Sequence, residues 1–236
     1  MKKFAAFDLD GTLIRWQLYH AVVDKLAKNG ALGVDAQKRL SEARMIWKRR
    51  EHPDAFKEYE VALIKIYEAA FPRLDVNDFD HMVQEVIEEY KDQVYTYTRD
   101  LLKQLKKKGY FLLAISGSHR ELVQGIAKYY QFDDFVGTTY GRDAGKFSRL
   151  EFLGSRDKKA VLDALIKKHN LDLKDSVAVG DSASDAPMLQ MVEQPIAFNP
   201  DQSLLNLAKK NSWKIVVERK NVTYKLEDHN GSYLLV

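Results

Sequence analysis

Hydrophobic positions along the chain follow two rhythms. Short, almost continuous apolar runs recur at "FAAFD" (4–8), "YFLLAISGS" (110–118), "SVAVGDS" (176–182), "PIAFNP" (195–200) and "KIVVE" (214–218). Each closes on turn-forming or polar residues. Between most of them the apolar spacing is helical, over Leu101–Lys108, Glu121–Tyr130, Lys158–His169 and Ser203–Lys209. Continuous apolar strands alternating with helices predict an α/β fold, a parallel sheet covered on both faces. Ligands of such sheets sit beyond the carboxyl ends of the strands, where Asp8, Ser116 and Asp181 fall.

One stretch breaks the alternation. From about Arg15 to about Tyr95 the pattern is helical throughout: Trp16–Asn29, Ala36–Arg50, Ala55–Ala70 and Asn77–Asp92, punctuated by Gly30, Gly33, Pro53 and Pro72. The expected organisation is a core made of residues 1–14 and 95–236, with residues 15–94 as an all-helical insert after the first strand. "DDFVGTTYGRDAGKFSRLEF" (133–152) reads as a strand pair around a Gly-containing turn. The tail from Lys214 reads as two or three antiparallel strands, with Asn230-Gly231 as a tight-turn signal. Those strands complete the sheet, cover an edge or pair with another chain; the pattern does not choose among these, nor does it indicate an oligomeric state.

Composition narrows the function classes. The 236 residues are 45% apolar and 11% aromatic, enough for a sizeable core. Net charge is +3, from 37 basic and 34 acidic residues. The densest basic stretches, "KQLKKKG" (103–109) and "WKRREH" (47–52), read as solvated helix faces, so no nucleic-acid partner is expected. Without cysteine, disulfides, thiol catalysis and Cys-ligated zinc are excluded. No apolar run is long enough to span a bilayer, and the run after "MKK" breaks at Asp8, too early for a signal peptide. The expectation is a soluble, cytoplasmic protein without a membrane partner.

The chemistry lies at the strand ends. Asp8 and Asp10 are two apart, so in an extended chain both side chains leave one face, and Gly11 lets the backbone bend behind them. Two like charges closing a buried strand need compensation. A divalent cation with hard oxygen ligands, Mg²⁺, would supply it; the plainer alternative is that the carboxylates cap the strand end. A calcium loop fails, because Gly11 comes too soon and Leu13 and Arg15 offer no ligand. "GDSASD" (180–185) adds Asp181 and Asp185, or, more simply, a turn in which Ser182 or Ser184 caps a helix starting near Ala186-Pro187. A serine-esterase reading of "GDS" lacks a histidine partner. Ser116, Gly117 and Ser118 close another strand, where a hydroxyl and free N–H groups suit a phosphate.

Together, "FDLDGTL", Ser116 in "AISGS", Lys158 and "GDSASD" stand in the order of the four motifs of the haloacid dehalogenase superfamily. Lys158 precedes Asp181 by 23 residues, which resembles the phosphoserine-phosphatase-like branch, as does "AFNP" (197–200). The resemblance covers residues 1–14 and about 95–210. It implies a Rossmann-like core with a type 1 helical cap, and a Mg²⁺-dependent phosphatase acting on a small phosphomonoester. By that resemblance Asp8 is the nucleophile, forming an aspartyl-phosphate, and Asp10 is the acid and base. Asp8, the Asp10 main-chain carbonyl and Asp181 hold the metal, with Asp185 behind them. Ser116, Gly117 and Lys158 bind the phosphoryl group, Lys159 being the alternative lysine.

Two departures bear on the substrate. Phosphoserine phosphatases carry "DxDST" and a glutamate seven residues after the second Asp; here Gly11 and Gln17 occupy those places. Arg44, Arg49 and Arg50 are the candidates for their cap arginine. Trp16, Gln17, Tyr19 and His20 lie close enough to face the site, although helical spacing favours Trp16, Tyr19 and Val23 as cap core. A phosphotransferase or mutase using the same intermediate, or a non-catalytic phosphate-binding protein, are the alternative readings.

Overall fold

The computed structural model describes residues 2–52 and 55–236. Strands occupy β1 (Lys2–Phe7), β2 (Phe111–His119), β3 (Asp134–Asp143), β4 (Lys146–Phe152), β5 (Leu171–Gly180), β6 (Gln194–Phe198), β7 (Lys214–Arg219), β8 (Val222–His229) and β9 (Ser232–Leu235). They form one sheet in the order β4-β3-β2-β1-β5-β6-β7-β8-β9. The strands from β3 across to β7 run parallel, while β4, β8 and β9 join antiparallel through hairpins.

The period-2 alternation of β1 sets the two cores. Phe4 and Ala6 face one side, among Leu113, Ile115, Ala178 and Ile215. Ala5 and Phe7 face the other, among Leu112, Ala114, Val179 and Phe198. All four β1 residues have no exposed surface. A buried Phe contributes about 1.5–3 kcal/mol relative to leaving it in water. Helices α1 (Leu18–Lys28), α2 (Ala36–Arg49), α3 (Ala55–Glu68) and α4 (Val76–Tyr90) lie between β1 and β2 in the chain, and α5 (Thr96–Lys107) leads into β2. Helices α6 (Arg120–Tyr130), α7 (Lys158–His169), α8 (Ala186–Leu189) and α9 (Gln202–Lys210) complete the alternation. Apolar residues of α1–α4 belong to the same cluster as Ala5 and Phe7, so the helical stretch packs on the face that also carries α5 and α6.

The predicted elements recur with shifted ends. Helix α5 begins at Thr96, five residues before the expected Leu101, because Glu218 of β7 caps it. The Glu218 carboxylate accepts from the main-chain N–H groups of Thr96 and Tyr97 at 3.0 and 2.8 Å. Strand β5 begins at Leu171 instead of Ser176, since Leu171 and Asp172 pair with Lys2 and Lys3. Helix α1 starts at Leu18, two residues later than expected, because Trp16 and Gln17 belong to the loop that leads from the Asp8–Asp10 turn. The tail is mixed, with β7 parallel to β6 and only β8 and β9 antiparallel. It extends the sheet, and Asn230 and Gly231 (φ 54° and 85°) form the final tight turn. Pro53, expected to punctuate the helical insert, lies outside the described residues. Among the described residues no helix is long and apolar enough to cross a membrane.

Candidate active site

Three neighbouring strands deliver the site at their carboxyl ends. Asp8 and Asp10 follow β1, Ser116 and Gly117 lie near the end of β2, and Asp181 follows β5. The chain turns immediately after Asp10 because Gly11 adopts φ 82°, a left-handed conformation that disfavours side chains. A Cβ there would stand 2.2 Å from Asp181 Oδ2, so Asp181 occupies the space that the glycine leaves.

Lys158 enters at the start of α7, where Asp157 accepts from Ala160 N at 2.9 Å and fixes the first turn. Its ammonium donates to Asp8 Oδ1 at 2.7 Å, to Asp185 Oδ1 at 2.6 Å and to the Ile115 carbonyl at 3.0 Å. Lys158 is only 2% exposed, whereas Lys159 faces solvent. Asp185 is fully buried, and its second oxygen accepts from Asp181 N, Ser182 N and Ser182 Oγ at 3.0–3.1 Å. The "GDSASD" turn is therefore both a capping box and part of the charged cluster.

Asp10 is turned away from that cluster. Its Oδ1 accepts from Leu18 N at 2.6 Å and its Oδ2 from Ser116 Oγ at 2.5 Å. The Ser116 hydroxyl also accepts from Ser118 N at 2.9 Å. Thr138 of β3 donates to the Gly117 carbonyl at 2.6 Å and accepts from Gly154 N at 3.1 Å, pinning the Ser-Gly turn to the segment that precedes α7.

Burial, offset in part by Lys158 and reinforced by Asp185 and Asp10, pushes the Asp8 carboxyl up to about 7. Burial, then Asp8 and Asp185, likewise hold Asp181 well above the usual carboxylate range. Burial works against the Lys158 ammonium, but Asp185 and Asp8 outweigh it and raise its pKa. Oxygens of Asp8, Asp181 and Asp185 lie within 4.8 Å of one another. These three carboxylates surround one ammonium, a formal charge of −2 if all are ionised, with Asp10 adding a further carboxylate to the same cavity. Hard oxygen donors with such an excess of negative charge fit a divalent cation of the Mg²⁺ type.

The site opens into a cavity of about 590 Å³. Asp8, Asp10, Gly117, Lys158 and Asp181 line one side, and Gln17, Tyr19, His20, Phe56, Lys57 and Glu60 from α1, α3 and the segment before α1 line the other. Of the candidates near the motif, Gln17, Tyr19 and His20 reach the cavity. Trp16 packs against Trp47 with ring centroids 5.9 Å apart, and Val23 is buried core. Arg44 does not reach it, being held by Asp24 and by the Tyr59 hydroxyl at 2.8 Å, and Arg49 and Arg50 are exposed elsewhere. The cation on that wall is instead Lys57. Lys57 and Glu60 carried no motif and stand some 50 residues after Asp8, so only the folded helices reveal them.

The haloacid dehalogenase-like hydrolase family profile matches residues 5–190, and a second profile of that description matches 152–229. A histidinol-phosphatase of Neisseria meningitidis is 25% identical over 92% of this chain and 99% of its own. A Mycobacterium tuberculosis phosphoserine phosphatase is 32% identical over 52% of this chain, which spans only 41% of that protein. Among solved structures, a Bordetella pertussis protein of unknown function aligns over 91% of this chain and 98% of its own, with TM-score 0.71 and 22% identity. A phospho-aspartyl intermediate analogue of phosphoserine phosphatase aligns over 93% and 95%, with TM-score 0.62 and 21% identity. The chain belongs to the haloacid dehalogenase-like hydrolase family and has the fold of phosphoserine phosphatase structures. As a member of that family it is a hydrolase.

Proposed function

We propose that this protein is a Mg²⁺-dependent phosphatase that hydrolyses a small phosphomonoester through an aspartyl-phosphate on Asp8, with residues 15–94 as its cap. The observation that carries the reading is the buried contact of Lys158 with Asp8 and Asp185, beside Asp181 and Asp10 in one cavity. Asp8 attacks phosphorus while the bond to the alcohol oxygen breaks, and Asp10 gives that oxygen its proton. Asp10 then takes a proton from water, which attacks phosphorus, breaks its bond to Asp8 and releases phosphate. Ser116 Oγ and Leu18 N hold Asp10 in place for both transfers. Ser116, the Gly117 N–H and Lys158 hold the phosphoryl oxygens, and Lys158 balances the charge that builds on them. Asp8, the Asp10 carbonyl and Asp181 would hold Mg²⁺, with Asp185 fastening the Asp181 turn and Lys158. The metal, when bound, neutralises charge on Asp8 and on the phosphoryl group.

We place its action in the cytoplasm, on a phosphorylated metabolite. Phosphoserine is disfavoured as substrate because Gln17 lines the cavity without a charge and Arg44 is engaged elsewhere. Phosphate release from histidinol phosphate, phosphoserine, sugar phosphates, nucleotides and p-nitrophenyl phosphate, with Mg²⁺ or EDTA, tests the reading. Turnover that needs Mg²⁺ and disappears in Asp8→Asn supports it. Turnover that persists in Asp8→Asn would refute the aspartyl-phosphate.

A further inference from the structure

The first helix of the helical insert does not satisfy its own N-terminus. Helix α1 carries no acidic residue in its first turn, and Gln17 before it makes no side-chain capping bond. Its first main-chain N–H groups find acceptors in the core instead. Leu18 N donates to Asp10 Oδ1 at 2.6 Å, and Tyr19 N donates to Ser118 Oγ at 3.0 Å, 99 positions along the chain. We propose that Ser118 is a positioning residue for the reaction: its hydroxyl oxygen fastens the first turn of α1 so that Asp10 keeps its aim at the leaving oxygen. The inference rests on the phosphatase reading above.

A bulge in β2 delivers that hydroxyl. Ile115 pairs with Val136 and His119 with Thr138, so residues 116–118 stand opposite Gly137 alone and leave the ladder. The Ser118 N–H, freed from the sheet, donates to Ser116 Oγ at 2.9 Å, and Ser116 Oγ donates to Asp10 Oδ2 at 2.5 Å. These bonds close a ring that runs from Asp10 through Ser116 and Ser118 to Tyr19, and back from Leu18 to Asp10. Asp10, Leu18, Ser116 and Ser118 are all buried, so a broken bond leaves a polar group without a partner. One Asp10 oxygen is therefore held by Ser116 and the other by the helix turn that Ser118 anchors. Gly117 has no side chain, and the His119 ring is enclosed by Tyr19, Tyr67, Phe79 and Tyr140. Among the described residues, Ser118 is the one side chain of β2 hydrogen-bonded to α1. Without its oxygen the Tyr19 N–H loses its acceptor, and the first turn can shift, taking Leu18 N away from Asp10. A misplacement of about 1 Å costs up to about 10²-fold in rate.

The test reads the dependence on the leaving group, with Mg²⁺ present. An alkyl oxygen leaves with a proton from Asp10, whereas p-nitrophenolate leaves without one. Ser118→Ala should lower kcat/KM for ethyl phosphate and glycerol 1-phosphate by about tenfold to a hundredfold, through kcat and not KM, and that for p-nitrophenyl phosphate by less than about threefold. Ser118→Thr, which keeps the hydroxyl, should restore most of the alkyl activity. A melting curve for each variant establishes that it is folded, and Ser118→Cys, whose thiol accepts only weakly, takes the place of Ser118→Ala if the latter does not fold. Equal losses on alkyl and aryl esters, a change confined to KM, no loss at all, or alkyl activity as low in Ser118→Thr as in Ser118→Ala overturns the role of Ser118 alone. If the wild-type protein hydrolyses none of these esters, the phosphatase reading falls, and this inference with it.

Discussion

Replacing Asp8 by Asn removes a charge while keeping the shape, and the structure fixes how the consequence varies with pH. Folding raises the Asp8 carboxyl from 3.8 to about 7, chiefly by burial. Between those pH values the folded protein keeps a proton that the unfolded chain has lost, so the Asp8 contribution to stability falls as pH rises. The full shift corresponds to about 4 kcal/mol, of which about 3 kcal/mol accrues between pH 5 and pH 8. A chain of 236 residues unfolds with an entropy of about 0.5 kcal/mol/K. In EDTA, the Tm of Asp8→Asn relative to wild type should therefore rise by about 6 °C from pH 5 to pH 8. Calorimetric melts of both proteins at the two pH values measure this. Mg²⁺ at pH 8 should largely cancel that relative rise, because a ligand at a hundred times its Kd stabilises its holder by about 2.7 kcal/mol and the variant has lost a ligand. A Tm difference independent of pH in EDTA would refute the claim that burial sets the ionisation of Asp8.

Two further outcomes follow from the packing around the site. A Cβ at Gly154 would stand 2.3 Å from the Ser116 carbonyl oxygen, so Gly154→Ala must displace the segment that precedes α7 from the phosphoryl site. It should lower Tm by about 2–6 °C, the range for overpacking by 1–3 kcal/mol, and raise KM in steady-state assays; an unaltered KM would show that this segment does not shape the site. His119 is buried in a cage of Tyr19, Tyr67, Phe79 and Tyr140, and burial, helped by Arg142, lowers its pKa from 6.5 to about 3. Its neutral form contributes stability that is complete above 6.5 and lost as pH falls towards 3, about 2 kcal/mol of it by pH 5. The acid-side fall in Tm should accordingly be some 4 °C smaller in His119→Phe, and an identical acid slope in the two proteins would count against it.

Much of this protein is local. Period-2 alternation through Phe4–Phe7 decides which side chains face each core, and apolar runs ending in carboxylates mark the strand ends, because a buried strand tolerates charge only where it leaves the sheet. Asp8, Asp10, Ser116 and Asp181 were legible because each sits at or just past such an end, and Lys158 through its 23-residue spacing to Asp181 in the motif order. Spacing favoured Lys158 over Lys159 without deciding between them, since both begin the same helix turn; in the fold it is the Lys158 ammonium that lies between Asp8 and Asp185.

What the sequence by itself determined is thus the strand and helix rhythm, the α/β class and the motif residues, all consequences of spacing within a few residues. The tertiary structure alone decided the rest. Glu218 extends α5 from 122 positions away, Lys2 and Lys3 draw β5 back to Leu171, and α1 and α3 bring His20, Lys57 and Glu60 to one cavity wall. Each of these depends on groups far apart in the chain meeting in three dimensions, and such meetings leave no periodic trace in a single sequence, because the cost of closing a long loop depends only weakly on its length.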